Sequence, residues 1–295
     1  MATRGSFWLR GKKGKLAGTT VYTSKGRTIQ REIVAVSNPQ TRAQMTQRVK
    51  WPNLVNTYKL LKSIMKYAFE SKKGAQSDYN ALMSVNASAT KVPYITKSMA
   101  RQGIVIPFGY QITMGSLGTF GAAIDEESDA LITNIVTGSL QNITGDTTVG
   151  QLATAVLAAN PQLREGMQVS FIVVSADGDP TGVDGPYFSS LVKCEFILDK
   201  ASTEKVNDFA GAITLSVNSG ALCAVLNNGF ANAYACIVSD TRNGKTSVSS
   251  ERLLLSSNAA MQAELFTSEE FLNAAIDSYG VQEVAFLNSN EAKKS

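Results

Sequence analysis

The chain has 295 residues, of which 44% are hydrophobic and 18% are charged, a composition typical of a folded, lightly charged globular protein. Histidine is absent, which removes the commonest general base and every Ser/His or Cys/His arrangement for nucleophilic catalysis. The three cysteines, Cys194, Cys223 and Cys236, are far apart in sequence, so we interpret them as buried free thiols and not as a disulfide framework or zinc site. The composition therefore predicts a protein that is not an enzyme and needs no cofactor or metal.

Charge is distributed unevenly along the chain. Residues 1–103 hold 19 Lys/Arg against three Asp/Glu, whereas the rest of the chain holds 9 against 21. Like charges at this density repel each other until an acidic partner neutralises them. Three interpretations stay open: contact with protein, including the acidic part of a neighbouring copy, contact with nucleic acid, or a solvated basic face. Trp8 and Trp51 both lie in the basic part and could stack on a base or pack in a core or interface.

The sequence contains no sign of a membrane segment. The first residues lack the apolar run of a signal peptide, and no stretch approaches the roughly 18 apolar residues of a membrane span. We therefore expect a protein that is made in the cytoplasm of its host, has no membrane partner and leaves only inside an assembly. A cell-surface carbohydrate-binding protein, a third class of function, predicts a secretion signal that this start does not show.

Residues 1–36 form the first predicted element, in which glycines alternate with β-branched residues. This mixture is typical of short strands joined at glycines. Because no hydrophobic pattern in this segment is strong enough to close a core, we predict an extended basic β-arm whose partner strands lie elsewhere.

A helical region is predicted from residue 37 to residue 109. Asn38 can cap a helix whose first position is Pro39, and apolar residues then recur every three to four positions to about residue 70. A kink or break is expected at Trp51-Pro52. Ser77 is the candidate cap of a second, shorter helix, so this region should contain a helical pair.

Residues 110–256 are β-rich and contain one predicted helix, at residues 149–159, with Thr147 or Thr148 as its cap. Runs of strand-forming residues recur between turn-forming Gly, Asn and Asp residues. The predicted strands lie at residues 130–140, 169–174, 191–198, 212–217, 221–226, 234–239 and 248–255.

Two Asn-Gly pairs, Asn228-Gly229 and Asn243-Gly244, predict β-hairpins, since Asn-Gly is the strongest short hairpin signal. Short strands at this spacing are typical of an antiparallel sandwich, and we predict an immunoglobulin-like one over residues 110–256.

After the sandwich, residues 257–295 should form a C-terminal helix and tail. Thr267 and Glu270 provide a capping box for a helix to about residue 280, followed by a strand at 281–287. The predicted fold class is therefore α+β.

Three motifs that could carry chemistry are incomplete. Residues 11–15 lack the G-x-x-x-x-G-K-[ST] spacing of a phosphate loop. The acidic runs at residues 125–129 and 177–184 could hold a hard cation, but neither has the EF-hand pattern, so we interpret them as solvated loops. No carboxylate pair has the surrounding aromatic cluster that a glycoside hydrolase needs.

Residues 11–50 carry the ordered pattern G-K-x-G…G…R…N-P-x-T-x-x-Q-x-x-x-R. Its parts are Gly11-Lys12-Lys13-Gly14, Gly18, Gly26-Arg27, Asn38-Pro39-Gln40-Thr41, Gln44 and Arg48. Over roughly residues 5–105, the sequence resembles a family of uncharacterised structural proteins from Bacteroidetes and their phages, including crAss-like gut phages. The resemblance implies a virion or assembly component, and the remaining two-thirds of the chain is recognisable only as β-rich.

The resemblance and the charge pattern together predict a non-enzymatic structural component of a bacteriophage virion. We expect a homo-oligomeric ring of the neck or tail, in contact with other virion proteins, because a charge dipole along one chain suits head-to-tail contacts. The alternatives are a capsid decoration protein and a nucleic-acid-binding module that uses the basic region. The residues predicted to form the assembly interface are Trp8, Arg10, Lys12, Lys13, Lys15, Tyr22, Arg27, Arg31, Arg42 and Arg48.

Overall fold

The computed structural model describes residues 3–4, 14–16, 19–24, 27–32, 41–72, 76–87, 92–178 and 187–279. The chain divides into two compact units, which we call the N-terminal unit (residues 1–41) and the main unit (residues 42–295). The described residues form a mixed α+β protein with antiparallel sheets, as the sequence predicts at this level.

The strands are β1 (Thr3–Arg4), β2 (Gly14–Leu16), β3 (Thr19–Ser24), β4 (Arg27–Glu32), β5 (Gly121–Ile124), β6 (Leu131–Val136), β7 (Gln168–Asp177), β8 (Phe188–Ile197), β9 (Thr214–Asn218), β10 (Ala221–Val225), β11 (Ala231–Arg242), β12 (Lys245–Val248) and β13 (Leu254–Leu255). The helices are α1 (Arg42–Leu61), α2 (Asp78–Asn86), α3 (Lys97–Gln102), α4 (Val149–Ala159), α5 (Val206–Ala210), α6 (Ser257–Phe266) and α7 (Glu269–Asp277).

In the N-terminal unit, the four strands pair with each other in the order β1-β4-β3-β2. An extended arm with partner strands elsewhere is therefore not confirmed. Leu16 pairs with Thr19 and Ser24 pairs with Arg27, so two residues separate the paired ends in each hairpin. The sequence has glycine as the second of those two residues, Gly18 and Gly26, which suits a two-residue hairpin and lets the strands pair locally.

Helix α1 continues through Pro52, so the helix does not break there; its predicted start at Asn38 and Pro39 lies outside the described residues. Its inner face carries a buried amide, Asn53, which accepts a hydrogen bond from the Ile106 backbone N–H at 2.8 Å. The same amide donates to the Ile106 carbonyl at 3.1 Å. Asn53 therefore fixes the chain after α3 against α1, a role that periodicity alone does not predict.

The predicted second helix is confirmed as α2, and the Ser77 hydroxyl accepts a hydrogen bond from the Asn80 N–H at 3.1 Å. Tyr58 of α1 and Tyr79 of α2 make an edge-to-face contact with ring centroids 5.1 Å apart. Helix α4 also has the predicted bounds, with Thr148 as its cap in a capping box. The short helix α3 is not predicted by the sequence pattern.

Two antiparallel sheets organise the main unit. One has the order β5-β6-β10-β9, and the other has the order β12-β11-β7-β8 with β13 paired to β11. A large buried cluster takes side chains from both sheets and from α4, including Leu131, Leu222, Phe171, Tyr234 and Leu152. A second cluster joins α1 and α2 to β7 and β11. The immunoglobulin-like version of a sandwich is not confirmed.

The two Asn-Gly pairs behave differently. Asn243 and Gly244 both have positive φ angles, 51° and 74°, and connect β11 to β12 as the predicted hairpin. The hairpin predicted at Asn228-Gly229 is wrong, because β10 pairs with β6 and β9 whereas β11 pairs with β7, β12 and β13. The chain crosses between sheets there, and Asn228 accepts a hydrogen bond from the Phe230 N–H at 3.1 Å, the local bonding typical of a turn.

The end of the chain differs from the prediction in two places. The predicted strand at residues 248–255 is divided between β12 and β13, and α6 is an additional helix. The cap of α7 is Ser268 and not the predicted Thr267. The Ser268 hydroxyl accepts a hydrogen bond from the Phe271 N–H at 3.1 Å. Ala275 and Ile276 of α7 are buried in one cluster with residues of α1. The strand and tail predicted after residue 280 lie outside the described residues.

Candidate interaction site

By backbone register, eight described positions of the N-terminal sheet lie on one face. Directly opposite positions of antiparallel strands belong to the same face of the sheet, and so do alternate positions along a strand. The pairs Arg4↔Ile29, Tyr22↔Ile29, Lys15↔Thr20 and Thr20↔Arg31 therefore connect one face. We call it the basic face, because four of its eight positions are basic. The eight positions are Arg4, Lys15, Thr20, Tyr22, Ser24, Arg27, Ile29 and Arg31.

The basic face contains the backbone positions of four predicted interface residues: Lys15, Tyr22, Arg27 and Arg31. Tyr22 is 40% exposed and Arg31 is also exposed, whereas Val21, on the opposite face, is buried. The predicted interface residues Trp8, Arg10, Lys12 and Lys13 lie outside the described residues.

The last two predicted interface residues, Arg42 and Arg48, lie on α1 in the main unit. Arg42 donates a hydrogen bond to the Asn273 side-chain oxygen at 2.7 Å and lies 3.6 Å from a carboxylate oxygen of Glu269. Arg42 is thus engaged with α7 of its own chain. Arg48 is exposed, and helical spacing places it on the same stripe of α1 as Trp51 and Lys59.

A pocket of about 390 Å³ lies at the end of β8 in the main unit. We call it the acidic pocket, because three of its side chains are carboxylates. Its lining residues are Val149, Gln168, Glu195, Phe196, Ile197, Asp199, Ser202, Glu204 and Phe209. The sequence prediction did not identify this site, because its residues come from four elements and their connections and carry no shared motif.

One wall of the acidic pocket is held by close backbone contact. The Val149 N–H at the start of α4 donates to the Glu204 carbonyl at 2.8 Å, and the Gly150 N–H donates to the Ser202 carbonyl at 3.1 Å. A Cβ atom on Gly150 would lie 2.5 Å from that Ser202 oxygen and 2.7 Å from the Lys200 oxygen. Only glycine therefore fits at position 150 without moving the backbone of the pocket wall.

The carboxylates of the acidic pocket are incompletely neutralised. Glu195 forms a salt bridge with Lys193 at 2.7 Å, whereas Asp199 and Glu204 form none with any described residue. The nearby ammonium of Lys205 is bound to Asp146 at 2.8 Å, and this hydrogen bond lowers the pKa of Asp146 and raises the pKa of Lys205. The pocket therefore combines net negative charge with apolar walls.

Glu251 is a buried carboxyl that the sequence did not single out. It accepts hydrogen bonds from the Phe120 N–H at 2.6 Å and the Gly121 N–H at 3.1 Å, and so fastens the start of β5. Burial raises the pKa of Glu251 to about 7, against the opposing effect of these hydrogen bonds. Its position among backbone donors indicates a structural role.

Carboxylates of the acidic run at residues 125–129, which the sequence analysis considered as a cation site, make hydrogen bonds within the chain. Asp125 accepts a hydrogen bond from the Ser128 N–H, and Asp129 accepts two from Ser257, from the N–H at 2.9 Å and the hydroxyl at 2.8 Å. Across the part of the chain that the structure describes, no group of three or more Cys, Asp or Glu residues is placed to hold a metal ion. Asp177 ends β7, and Asp179 and Asp184 lie outside the described residues.

The three cysteines are buried and free, as predicted. Burial raises the pKa of the Cys194 thiol to about 12, which disfavours a reactive thiolate.

Among the described helices, none has the length and apolar character required to cross a bilayer. Comparison of this chain with protein-family models, with curated proteins and with solved structures finds no match.

Proposed function

We propose that this protein is a non-enzymatic structural subunit of a bacteriophage virion, in which copies associate into a ring of the neck or tail. The observation that carries the proposal is the separation of charge between two compact units. The N-terminal unit holds eight Lys/Arg against one acidic residue, whereas the main unit holds 20 against 23. When charges are segregated in this way, the acidic surface of one copy can neutralise the positive charge of the N-terminal unit of a neighbouring copy.

The geometry of the N-terminal sheet supports a role in contact formation. Four basic positions share one face with the exposed ring of Tyr22, a residue type that is common at the centre of interfaces. A contact from one surface of a copy to a different surface of the next is heterologous, and a heterologous contact closes into a ring if the rotation fits. The resemblance of residues 5–105 to uncharacterised proteins from Bacteroidetes and their phages supports the virion as the place of assembly.

Mass spectrometry of purified phage particles, combined with a low-resolution reconstruction, tests this proposal. We expect the protein at a fixed copy number and as ring-shaped density between the head and the tail or within the tail. Density spread over the shell would support the capsid decoration alternative. Absence of the protein from particles that still contain their other structural proteins would contradict the proposal.

The second candidate is a nucleic-acid-binding module, which the exposed stripe of α1 favours. Trp51 is 39% exposed on this stripe between Arg48 and Lys59, an arrangement of an aromatic ring between basic residues that suits a polyanion.

A salt titration with duplex DNA separates the structural function from the nucleic-acid-binding function. Binding to DNA should weaken by about 0.9 logarithmic units per decade of salt for each phosphate neutralised. Sub-micromolar DNA binding with this steep dependence at physiological salt would favour the module.

A further inference from the structure

The acidic pocket lies at an accessible edge of the five-stranded sheet. Within the described residues, β7 is the only strand that pairs with β8, so β8 is an edge strand. The pocket is formed where β8 ends, and Ile197 at that end is 55% exposed. An edge strand without a second neighbour leaves its flank open to another chain. A side chain from another molecule can therefore approach the pocket without displacing a strand.

The lining of the pocket matches a long cationic side chain. Val149, Phe196 and Phe209 supply apolar surface, and Glu195, Asp199 and Glu204 supply the carboxylates. Lys and Arg combine an apolar stem with a charged head, so the stem can lie along the apolar wall while the head meets the carboxylates. A pocket of about 390 Å³ is large enough for one such side chain together with water.

We infer that the acidic pocket receives a Lys or Arg side chain from the N-terminal unit of a second copy of this chain. Charge complementarity selects this occupant, because the N-terminal unit holds eight Lys/Arg against Glu32 alone. The inserted group is a side chain, because the pocket lining offers carboxylates to a cationic head and apolar side chains to its stem. This inference rests on the proposed self-association and specifies the acidic pocket as the place where the N-terminal unit binds.

Zero-length carbodiimide crosslinking of the full chain tests the inference. An equal mixture of 15N-labelled and unlabelled protein is crosslinked over a concentration series up to the solubility limit. Peptides that join a lysine of residues 1–41 to Glu195, Asp199 or Glu204 are then identified by mass spectrometry. We expect mixed-label pairs, which only contact between copies can produce. Exclusively same-label pairs, or links only to other carboxylates, would overturn the inference. No link from residues 1–41 would exclude an inserted lysine, and the variant pair below then decides for an inserted arginine, because a carbodiimide does not couple a guanidinium.

A variant pair provides an independent measurement that does not depend on crosslinking. The pocket variant carries Glu195→Gln, Asp199→Asn and Glu204→Gln, and the control carries Glu126→Gln, Glu127→Gln and Asp277→Asn, which remove equal charge from exposed positions. We expect self-association in sedimentation velocity to weaken at least about tenfold in the pocket variant and less than about twofold in the control. Equal weakening in both would overturn the inference. Circular dichroism checks that each variant is folded.

Failure of this inference and failure of the proposed function give different results. If copies associate and enter particles but the pocket variant behaves like the control, the pocket assignment is wrong and the proposed function stands. If the protein is absent from particles, the proposed function is wrong whatever the crosslinks show.

Discussion

The N-terminal unit and the main unit differ in what stabilises them. Of the side chains that the structure describes in the N-terminal unit, only Val21 is buried, and the sheet depends on short hairpins. The described residues of the main unit form four clusters of buried apolar side chains, which involve both its sheets and its helices. A unit of about 41 residues can bury only a small apolar core and is marginally stable by itself. The main unit therefore has cores of its own to fold around, whereas our proposal gives the N-terminal unit a partner surface on a neighbouring copy.

The largest expected effect separates the two units by stability. Phe171 is fully buried between the sheets and α4, so Phe171→Ala should lower the free energy of unfolding by about 3–5 kcal/mol. Val21→Ala in the N-terminal unit should leave the main unfolding transition unchanged within about 0.5 kcal/mol. Urea denaturation of both variants measures this difference. An equal loss from Val21→Ala would mean that the two units unfold as one.

The next effect concerns pH and the main unit alone. Burial raises the pKa of Glu251 to about 7, so the folded state holds this proton more tightly than the unfolded chain. The resulting stabilisation is fully present below the unfolded pKa of about 4.5 and is lost as pH rises to about 7, a change on the order of 3 kcal/mol. Glu251→Gln should remove this contribution. Urea denaturation between pH 4.5 and pH 8 measures it, and identical pH dependence in the variant and the original protein would contradict the assignment.

A smaller effect is expected at the wall of the acidic pocket. Gly150→Ala would bring a methyl group against two backbone oxygens, of Ser202 and Lys200, and should cost about 1–3 kcal/mol. Gly145→Ala is the matched control, since its nearest neighbour is the end of the flexible Asn207 side chain at 3.5 Å. Thermal unfolding of both variants measures the difference. If Gly150→Ala is no more destabilising than the control, the pocket wall is not held by close backbone contact.

Local signals predicted the elements whose conformation is decided locally. Ser77 identified the start of α2, the adjacent candidates Thr147 and Thr148 identified the start of α4, and Asn243-Gly244 identified a hairpin, because caps and tight turns depend on a few adjacent residues. Asn228-Gly229 has the same local signal, but the strands on either side of it find partners in different sheets. Strand pairing is decided by tertiary packing, which an Asn-Gly signal does not contain.

In the candidate sites too, the sequence predicted the local features and not those that depend on tertiary structure. The basic residues could be recognised by composition, but their common face depends on the register of three strand pairs. The acidic pocket brings together residues as far apart in sequence as Val149 and Phe209, and no spacing rule connects them. The strand predicted at residues 248–255 is interrupted between β12 and β13, where Glu251 is buried and accepts hydrogen bonds from the Phe120 and Gly121 N–H groups. Helix α6 was not predicted.

Incorporation into phage particles tests the central claim most directly. A tagged full chain with Arg4, Lys15, Arg27 and Arg31 replaced by Gln is expressed in the infected host, beside a control with Lys66, Arg101, Arg164 and Lys245 replaced by Gln. The account predicts that the control co-sediments with purified particles at normal stoichiometry, whereas the basic-face variant stays folded and does not. Deletion of residues 1–36 should have the same effect as the basic-face variant. Normal co-sedimentation of both the variant and the deletion would show that the N-terminal unit does not hold the assembly together.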